Sequence, residues 1–350
     1  MELPCGTFNE DYKQDMAIFR RPIHWFWFLG FALLMGVLPL FAPAHVLTVI
    51  ITVAVTIITV QGLNICLGYA GQINLGQAGF MAVGAYTSAI LTSTYGVPFW
   101  IALPLAGVMA AAIGMIFGLP SLRIKGFYLV LATIAAQFII IYIIMHVPSL
   151  TGGYAGMDAP APRIGNLVLD TPKSYYYLAV PMAFIFTWFA RNWIRTKMGR
   201  AFVAIRDNEF AAETQGVNIF RYKLLAFAAS SFFAGIAGCL WGHFMGRVSP
   251  EHYTLMSSVW YLGIMIVGGF GSTVGVILGS VVYQGLQELV SAIAPAIASW
   301  FPGVAAGIFA GLGQLLFGVV IMLVLIFEPR GLNHAWVTLK TRFRLWPYSF

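Results

Sequence analysis

Apolar residues run along this chain in long blocks, not in the one-faced patterns of soluble elements. Five blocks contain no Asp, Glu, Lys or Arg: 22–122, 126–157, 224–246, 252–287 and 289–327. A helix needs about 20 apolar residues to cross a hydrocarbon core. Period-two alternation, the mark of a membrane β-barrel, is absent. The pattern predicts helical passes at 22–42, 46–67, 77–94, 98–118, 126–147, 175–193, 223–245, 256–269, 273–291 and 305–327. The first apolar run is too long for a signal-peptide core and lacks a small-residue cleavage site, so it reads as a retained membrane helix. The expected fold is an all-α polytopic bundle of about ten passes.

Composition agrees with the pattern. The chain is 60% hydrophobic and 9% charged, with mean hydropathy +0.84. Soluble domains carry about 25% charged residues, so this sequence has too little charge to cover a soluble surface. The net charge of +7 changes the picture only through its distribution. With ten passes and the N-terminus inside, 16 of the 19 basic residues fall on the inner side and Arg163, Lys173 and Arg247 on the outer. Basic residues accumulate on cytoplasmic loops, so both termini are expected in the cytoplasm. A nine-pass scheme would put "EPRGL" and its basic tail outside. The expected segments are therefore a cytoplasmic stretch at 1–21, a membrane domain at 22–327 with a polar loop at 194–222, and a cytoplasmic tail at 328–350. Trp25, Trp27, Trp100 and Tyr175–Tyr177 stand near pass edges, where amphipathic rings favour the headgroup region.

Candidate chemistry is sparse. The six histidines are scattered and none forms a zinc-binding pair, so no metal site is expected. Cys5, Cys66 and Cys239 make no CxxC pair, so neither a disulfide framework nor a zinc site is suggested. No Gly-Lys pair occurs, which excludes a phosphate-cradling GxxxxGK[ST] loop. Glu288 is the one acid inside an apolar run. Ion-coupled carriers usually show buried carboxylates or histidines as a relay, so a secondary carrier is disfavoured, as is an intramembrane enzyme.

Two polar features stand out. "GYAGQINLGQAGF", 68–80, brings Gln72, Asn74 and Gln77 into an otherwise apolar region, beside Gly68, Gly71, Gly76 and Gly79, with Asn64 just upstream. Broken helices line cavities in transporters, and glycine also lets helices approach closely. The amides therefore read either as lining a solute pathway or gate, or as a tight turn with helix packing. "GGFGS" places Gly268, Gly269 and Gly271 at a second break. The other feature is the loop at 191–238. Arg191, Arg195, Lys197, Arg200 and Arg206 precede Asp207, Asn208 and Glu209, which are helix-starting types. "EFAAETQ" reads as a short helix over about 207–215, with Gly216 as its C-terminal stop. So short a helix is marginal alone, which implies that something packs on it.

These residues carry a resemblance. "GRAFVAIRDNEFAAETQGVNIFRYKLLAFAASSFFAGIAG" is similar to the cytoplasmic loop of the permease subunits of branched-chain amino acid ABC transporters. Ala211, Ala212 and Gly216 match the Ala-Ala-x-x-x-Gly part of the loop that docks into the ATPase, whereas Phe210 is inserted after Glu209. "NICLGYAGQINLGQAGFMAVGAYTSAIL" (64–91), "IVGGFGSTVGVILGS" (266–280) and "EPRGL" (328–332) resemble further signatures of that family, in order, over roughly 45–335. The resemblance implies a multi-pass permease of the inner membrane. Its partners would be a second, related or identical permease, two cytoplasmic ATPase subunits, and a periplasmic solute-binding protein; no nucleic acid is implied. No cofactor is implied in this chain, ATP and Mg being bound by the ATPases. The implied solutes are branched-chain or other small neutral amino acids, with urea, short amides or another small solute as alternatives. Arg200, Arg206, Asp207, Asn208, Glu209, Phe210, Ala211, Ala212 and Gly216 would then form the ATPase-coupling segment, with Phe210 as its apolar anchor and the charged residues at its rim.

Overall fold

The structure is a computed structural model that describes residues 22–122, 126–164, 167–300 and 305–345. The predicted N-terminal segment, Cys5, Arg123, Lys125 and the last residues of the tail lie outside them. Compact packing divides the chain into a unit ending at Leu47 and a unit beginning at Thr48. In the first, helix α1 spans Pro22–Phe41 and contains Pro39. Pro43 precedes the next helix.

Helices stand at every position where the apolar pattern predicts a pass. α2 covers Ala44–Leu63, α3 Gln77–Ala89, α4 Phe99–Gly118, α5 Phe127–His146, and α6 Pro172–Ile194. Then come α7 Lys197–Asp207, α8 Glu209–Thr214, α9 Ile219–Met245, α10 Leu255–Gly268, α11 Thr273–Trp300, α12 Ala305–Phe327 and α13 Leu332–Leu345. Among the described residues, five segments are long and apolar enough to span a bilayer unaided: 44–69, 99–118, 127–146, 219–245 and 273–293. A sixth would combine 313–327 with 332–343 across a 48° bend. The chain is thus a multi-pass, predominantly helical membrane protein. α3 continues through a π-helical turn, Ile90–Thr94, so 77–94 is helical throughout; α10, with 14 residues, is short for the task, because a helix rises only about 1.5 Å per residue against a core of about 30 Å.

The expectation of pure helix needs one adjustment. Between α5 and α6 the chain forms a one-turn helix, Pro148–Thr151, and three two-residue strands. β1 (Met157–Asp158) pairs antiparallel with β4 (Arg247–Val248), which follows α9. β2 (Arg163–Ile164) pairs with β3 (Leu167–Val168). His243 Nδ1 donates to the Pro160 carbonyl, 2.7 Å away, which fastens this connection to the end of α9.

α9 is the hub of the second unit and packs along both α3 and α4. Its run of small residues explains the closeness. A Cβ on Gly84 of α3 would overlap the backbone of Gly235 on α9, so the two helices touch main chain to main chain. Apolar surface gains little from leaving lipid, so close packing of small residues is what joins membrane helices. A second cluster joins Val60 and Leu63 of α2 to Ile264, Met265 and Val267 of α10, with Val276 of α11 and Phe317 of α12. The break at 68–76 lies between the helices that enter these two clusters.

Candidate functional site

α2 does not stop cleanly. Its last turn widens into a π-helical turn over Asn64–Tyr69, residues 71–76 leave the helix, and α3 resumes at Gln77. Widened turns of this kind are frequent at functional sites. The freed backbone groups are recaptured by polar side chains. Asn74 Oδ1 accepts from the Gly76 N–H at 2.8 Å, and its Nδ2 donates to Gln77 Oε1 at 3.2 Å. Gln77 Nε2 donates to the Thr59 carbonyl at 3.0 Å, and its Oε1 accepts from Ser230 Oγ at 3.0 Å. The hydroxyl of Thr133 receives Leu75 N–H at 3.1 Å, and that of Ser258 receives Ala78 N–H at 2.9 Å. Gln137 accepts the Gly79 N–H and donates to the Tyr253 carbonyl at 2.8 Å. Asn64, Asn74, Gln77, Thr133, Gln137, Ser230 and Ser258 are all buried.

Asn74 and Gln77 therefore hold the break in shape. Gln72 behaves differently: it is buried, yet neither its Nε2 nor its Oε1 has a partner among the described residues. Asn64 Nδ2 is in the same state. A buried amide without a partner costs about 1–3 kcal/mol, so these two groups retain bonding capacity that a second conformation could use. A sharp contrast follows. Gln77→Leu strands the Ser230 hydroxyl and Asn74 Nδ2, and should lower stability by about 2–5 kcal/mol. Gln72→Leu should leave the unfolding midpoint in detergent unchanged or higher. Equal losses in both variants would contradict the assignment.

The same break touches three other stretches. Asn64 Oδ1 accepts the Gly271 N–H at 2.9 Å, and a Cβ on Gly68 would press on that same nitrogen. Arg206 Nη1 donates to the Gly68 carbonyl at 2.9 Å, and the Arg206 side chain lies against Gly71. Gly268 packs on Gly275 across the turn that follows α10, and Gly269 meets the Arg330 carbonyl and Gly331 of "EPRGL". Four motifs that are far apart in sequence are thus linked: Asn64, Gly68, Arg206 and Gly271 lie together, Gly71 rests on Arg206, and Gly269 joins the turn to Arg330 and Gly331. Gly76 and Gly79 face α5 instead, at Thr133 and Gln137.

The polar loop folds as two helices, not one. α7 arises because Gly199, Ala201, Phe202 and Ile205 share a buried face, a helical periodicity hidden in the sequence by the surrounding cations. Asp207 ends α7. Asn208 then caps α8, its Oδ1 accepting the Ala211 N–H at 3.0 Å. Ala212 is buried; Gly216 has φ +82°, which favours glycine, and reverses the chain towards α9. The Glu209 carboxylate pairs with the buried Lys223 Nζ at 2.6 Å, tying α8 to α9. Asp207 pairs with Arg206 at 2.9 Å. Arg200 reaches the Arg195 carbonyl at 3.5 Å. Phe210, in contrast, projects outward and is 77% exposed.

The family described as "Branched-chain amino acid transport system / permease component" matches residues 45–326. The chain belongs to this family. It is 33% identical over 295 residues to the high-affinity branched-chain amino acid transport system permease protein LivM of Escherichia coli (strain K12), across 77% of this chain and 66% of that protein. The chain thus spans just under two thirds of the length of that relative. A probable branched-chain amino acid transport permease protein LivM of Methanocaldococcus jannaschii is 26% identical over 77% of this chain and 88% of its own length. The guanosine ABC transporter permease protein NupQ of Bacillus subtilis is 22% identical over 64% of this chain and 74% of its own. No solved structure matches. The family match takes in the break, both loop helices and Gly268–Gly271, and ends just before "EPRGL".

Sequence reasoning missed Thr133, Gln137, Ser230, Ser258 and Lys223. Gln137 had a visible signal, an amide within the charge-free run 126–157. The hydroxyls had none, since Ser and Thr are unremarkable in membrane helices. Near Gln137, burial pushes the Tyr253 phenol well above its ordinary value, so that side chain remains neutral.

Proposed function

We propose that this chain is the membrane permease subunit of an ATP-driven importer, carrying branched-chain or other small neutral amino acids across the inner membrane. The observation that carries this reading is the family match over 45–326, supported by the chain's 33% identity to the E. coli permease. Ten passes, cytoplasmic termini, and the segments 1–21, 22–327 and 328–350 complete the reading. The 16-to-3 division of basic residues supports that orientation. Under it, 197–216 lies on the cytoplasmic side, where two ATPase subunits binding ATP and Mg would grip it. A second permease, related or identical, and a periplasmic solute-binding protein would complete the assembly. The loop's junction with the break offers the mechanical route. Movement of α8 is transmitted through Asn208 and Asp207 to Arg206, whose guanidinium holds the Gly68 carbonyl, and from there to Gly271 through Asn64. Gln72 and the Asn64 Nδ2 would find partners when that junction opens.

Relatives named for guanosine and ribose favour a second reading of the same machine with another small solute. Purification from the native membrane tests the first. A stoichiometric ATPase should co-purify, and reconstituted vesicles with the binding protein should accumulate L-leucine only with ATP. A lone chain driving uptake from an ion gradient would overturn the proposal.

A further inference from the structure

A cavity of about 300 Å³ lies among α2, α3, α9, α10 and α11. It is lined by Thr52 and Thr56 of α2, Trp241 of α9, Ser257 and Trp260 of α10, and Gln284 of α11. Thr52 and Thr56 are one helical turn apart and so share a face. Among the described residues, its lining contains no Asp, Glu, Lys or Arg. The Thr56 hydroxyl and the Gln284 amide make no hydrogen bond with the described residues, although both line the cavity. The remaining walls mix the polar side chains of His252, Tyr261, Tyr283 and Gln287 with the apolar Val55 and Met81. From these observations we infer that this cavity is a binding station for a small neutral zwitterion on the solute route, and that it rejects solutes with a net charge. The inference rests on the importer reading above.

The chemistry of the lining matches that class. Threonine, serine and glutamine offer both donors and acceptors, enough for an ammonium and a carboxylate without a fixed counter-charge. The indole faces add attraction for the ammonium, and Val55 and Met81 accept an aliphatic side chain. A net charge entering the cavity would lose water without gaining a partner ion, which is costly. Walls without a carboxylate, ammonium or guanidinium group also let a zwitterion leave again.

The floor connects the station to the break. Tyr261 Oη donates to Met81 Sδ at 3.4 Å, and Thr59 Oγ1 reaches the same sulfur at 3.9 Å. The Thr59 carbonyl is the acceptor held by Gln77 at 3.0 Å. Displacement of Met81 therefore bears directly on the amide network at the start of α3.

The test uses the reconstituted transporter with its ATPases and binding protein, and L-leucine as the probe. Gln284→Glu should reduce ATP-driven leucine uptake at least tenfold, while Gln284→Asn should stay within about twofold. In Gln284→Glu, L-lysine should become a better competitor of the residual uptake, a change of selectivity that misfolding would not produce. Protein level in the membrane and the amount of ATPase that co-purifies should match the unsubstituted complex. In a second arm, Gln284→Cys should react with a membrane-impermeant maleimide, and leucine should slow that reaction. Unchanged leucine uptake in Gln284→Glu, or labelling that leucine does not slow, would overturn the cavity assignment alone. Absence of ATP-driven uptake in the unsubstituted complex would overturn the importer reading, and the cavity's role with it.

Discussion

Phe210→Asp is expected to lower solute-stimulated ATP hydrolysis and uptake about thirtyfold while leaving the permease folded and inserted at its normal level. The ring is 77% exposed on α8, beside a helix that is locally well built: Asn208 caps it, Ala212 anchors it, and Glu209 ties it to Lys223. A large apolar side chain held outward on a rigid short helix is the geometry of an interface anchor. Such anchors cost about 2 kcal/mol or more when removed, which is the factor of thirty. Substitutions at exposed positions usually change stability by no more than about 0.5 kcal/mol, so the loss should not come from unfolding. The measurement is hydrolysis by the reconstituted complex with and without loaded binding protein, alongside the amount of ATPase co-purifying with the permease. Full stimulation in Phe210→Asp would remove α8 from the ATPase interface.

Arg206→Met should separate hydrolysis from transport. Methionine keeps an unbranched apolar stem but loses the bond to the Gly68 carbonyl and the pair with Asp207. ATPase subunits would still dock on α8, so basal hydrolysis should persist. Uptake should fall at least tenfold, because the loop no longer pulls on the break. Arg206→Lys should recover only part of the loss, since one ammonium cannot reproduce the planar fork that serves both partners. The ratio of solute moved to ATP hydrolysed is the quantity to measure. A normal ratio in Arg206→Met would show that movement reaches the break by another path. Because the Arg206 side chain is partly exposed, its pair with Asp207 contributes little to stability, and the variant should unfold near the normal midpoint.

Helix positions were legible in the sequence because each depends on a local property. Blocks such as 98–118 and 126–147 are apolar throughout, and the lipid phase leaves helix as the only way for such a segment to pair its own backbone. Gly216 as a reversal and Asn208 as a cap were readable for the same reason: both act within one turn. The loop's first half was misjudged as a charged flank because the buried face of α7 shows itself only once Gly199, Ala201, Phe202 and Ile205 have something to face.

The roles of the amides were not legible. Gln72, Asn74 and Gln77 are the same kind of group within six residues, yet two are fully engaged and one is not. What separates them is the position of Thr59, Ser230 and the Gly76 nitrogen, and two of those belong to helices folded in from elsewhere. Likewise Arg206 was readable as a cation near a helix start, but its grip on Gly68 spans 138 residues of chain. The sequence by itself determined the class of the protein, the placing of its helices and the presence of two unusual breaks, since hydrophobicity, capping and glycine act locally. Only the tertiary structure decided that 64–76, Arg206, Gly269–Gly271 and Arg330–Gly331 meet, because a hydrogen bond between distant segments depends on how helices pack, and packing is a property of surfaces that no single segment carries.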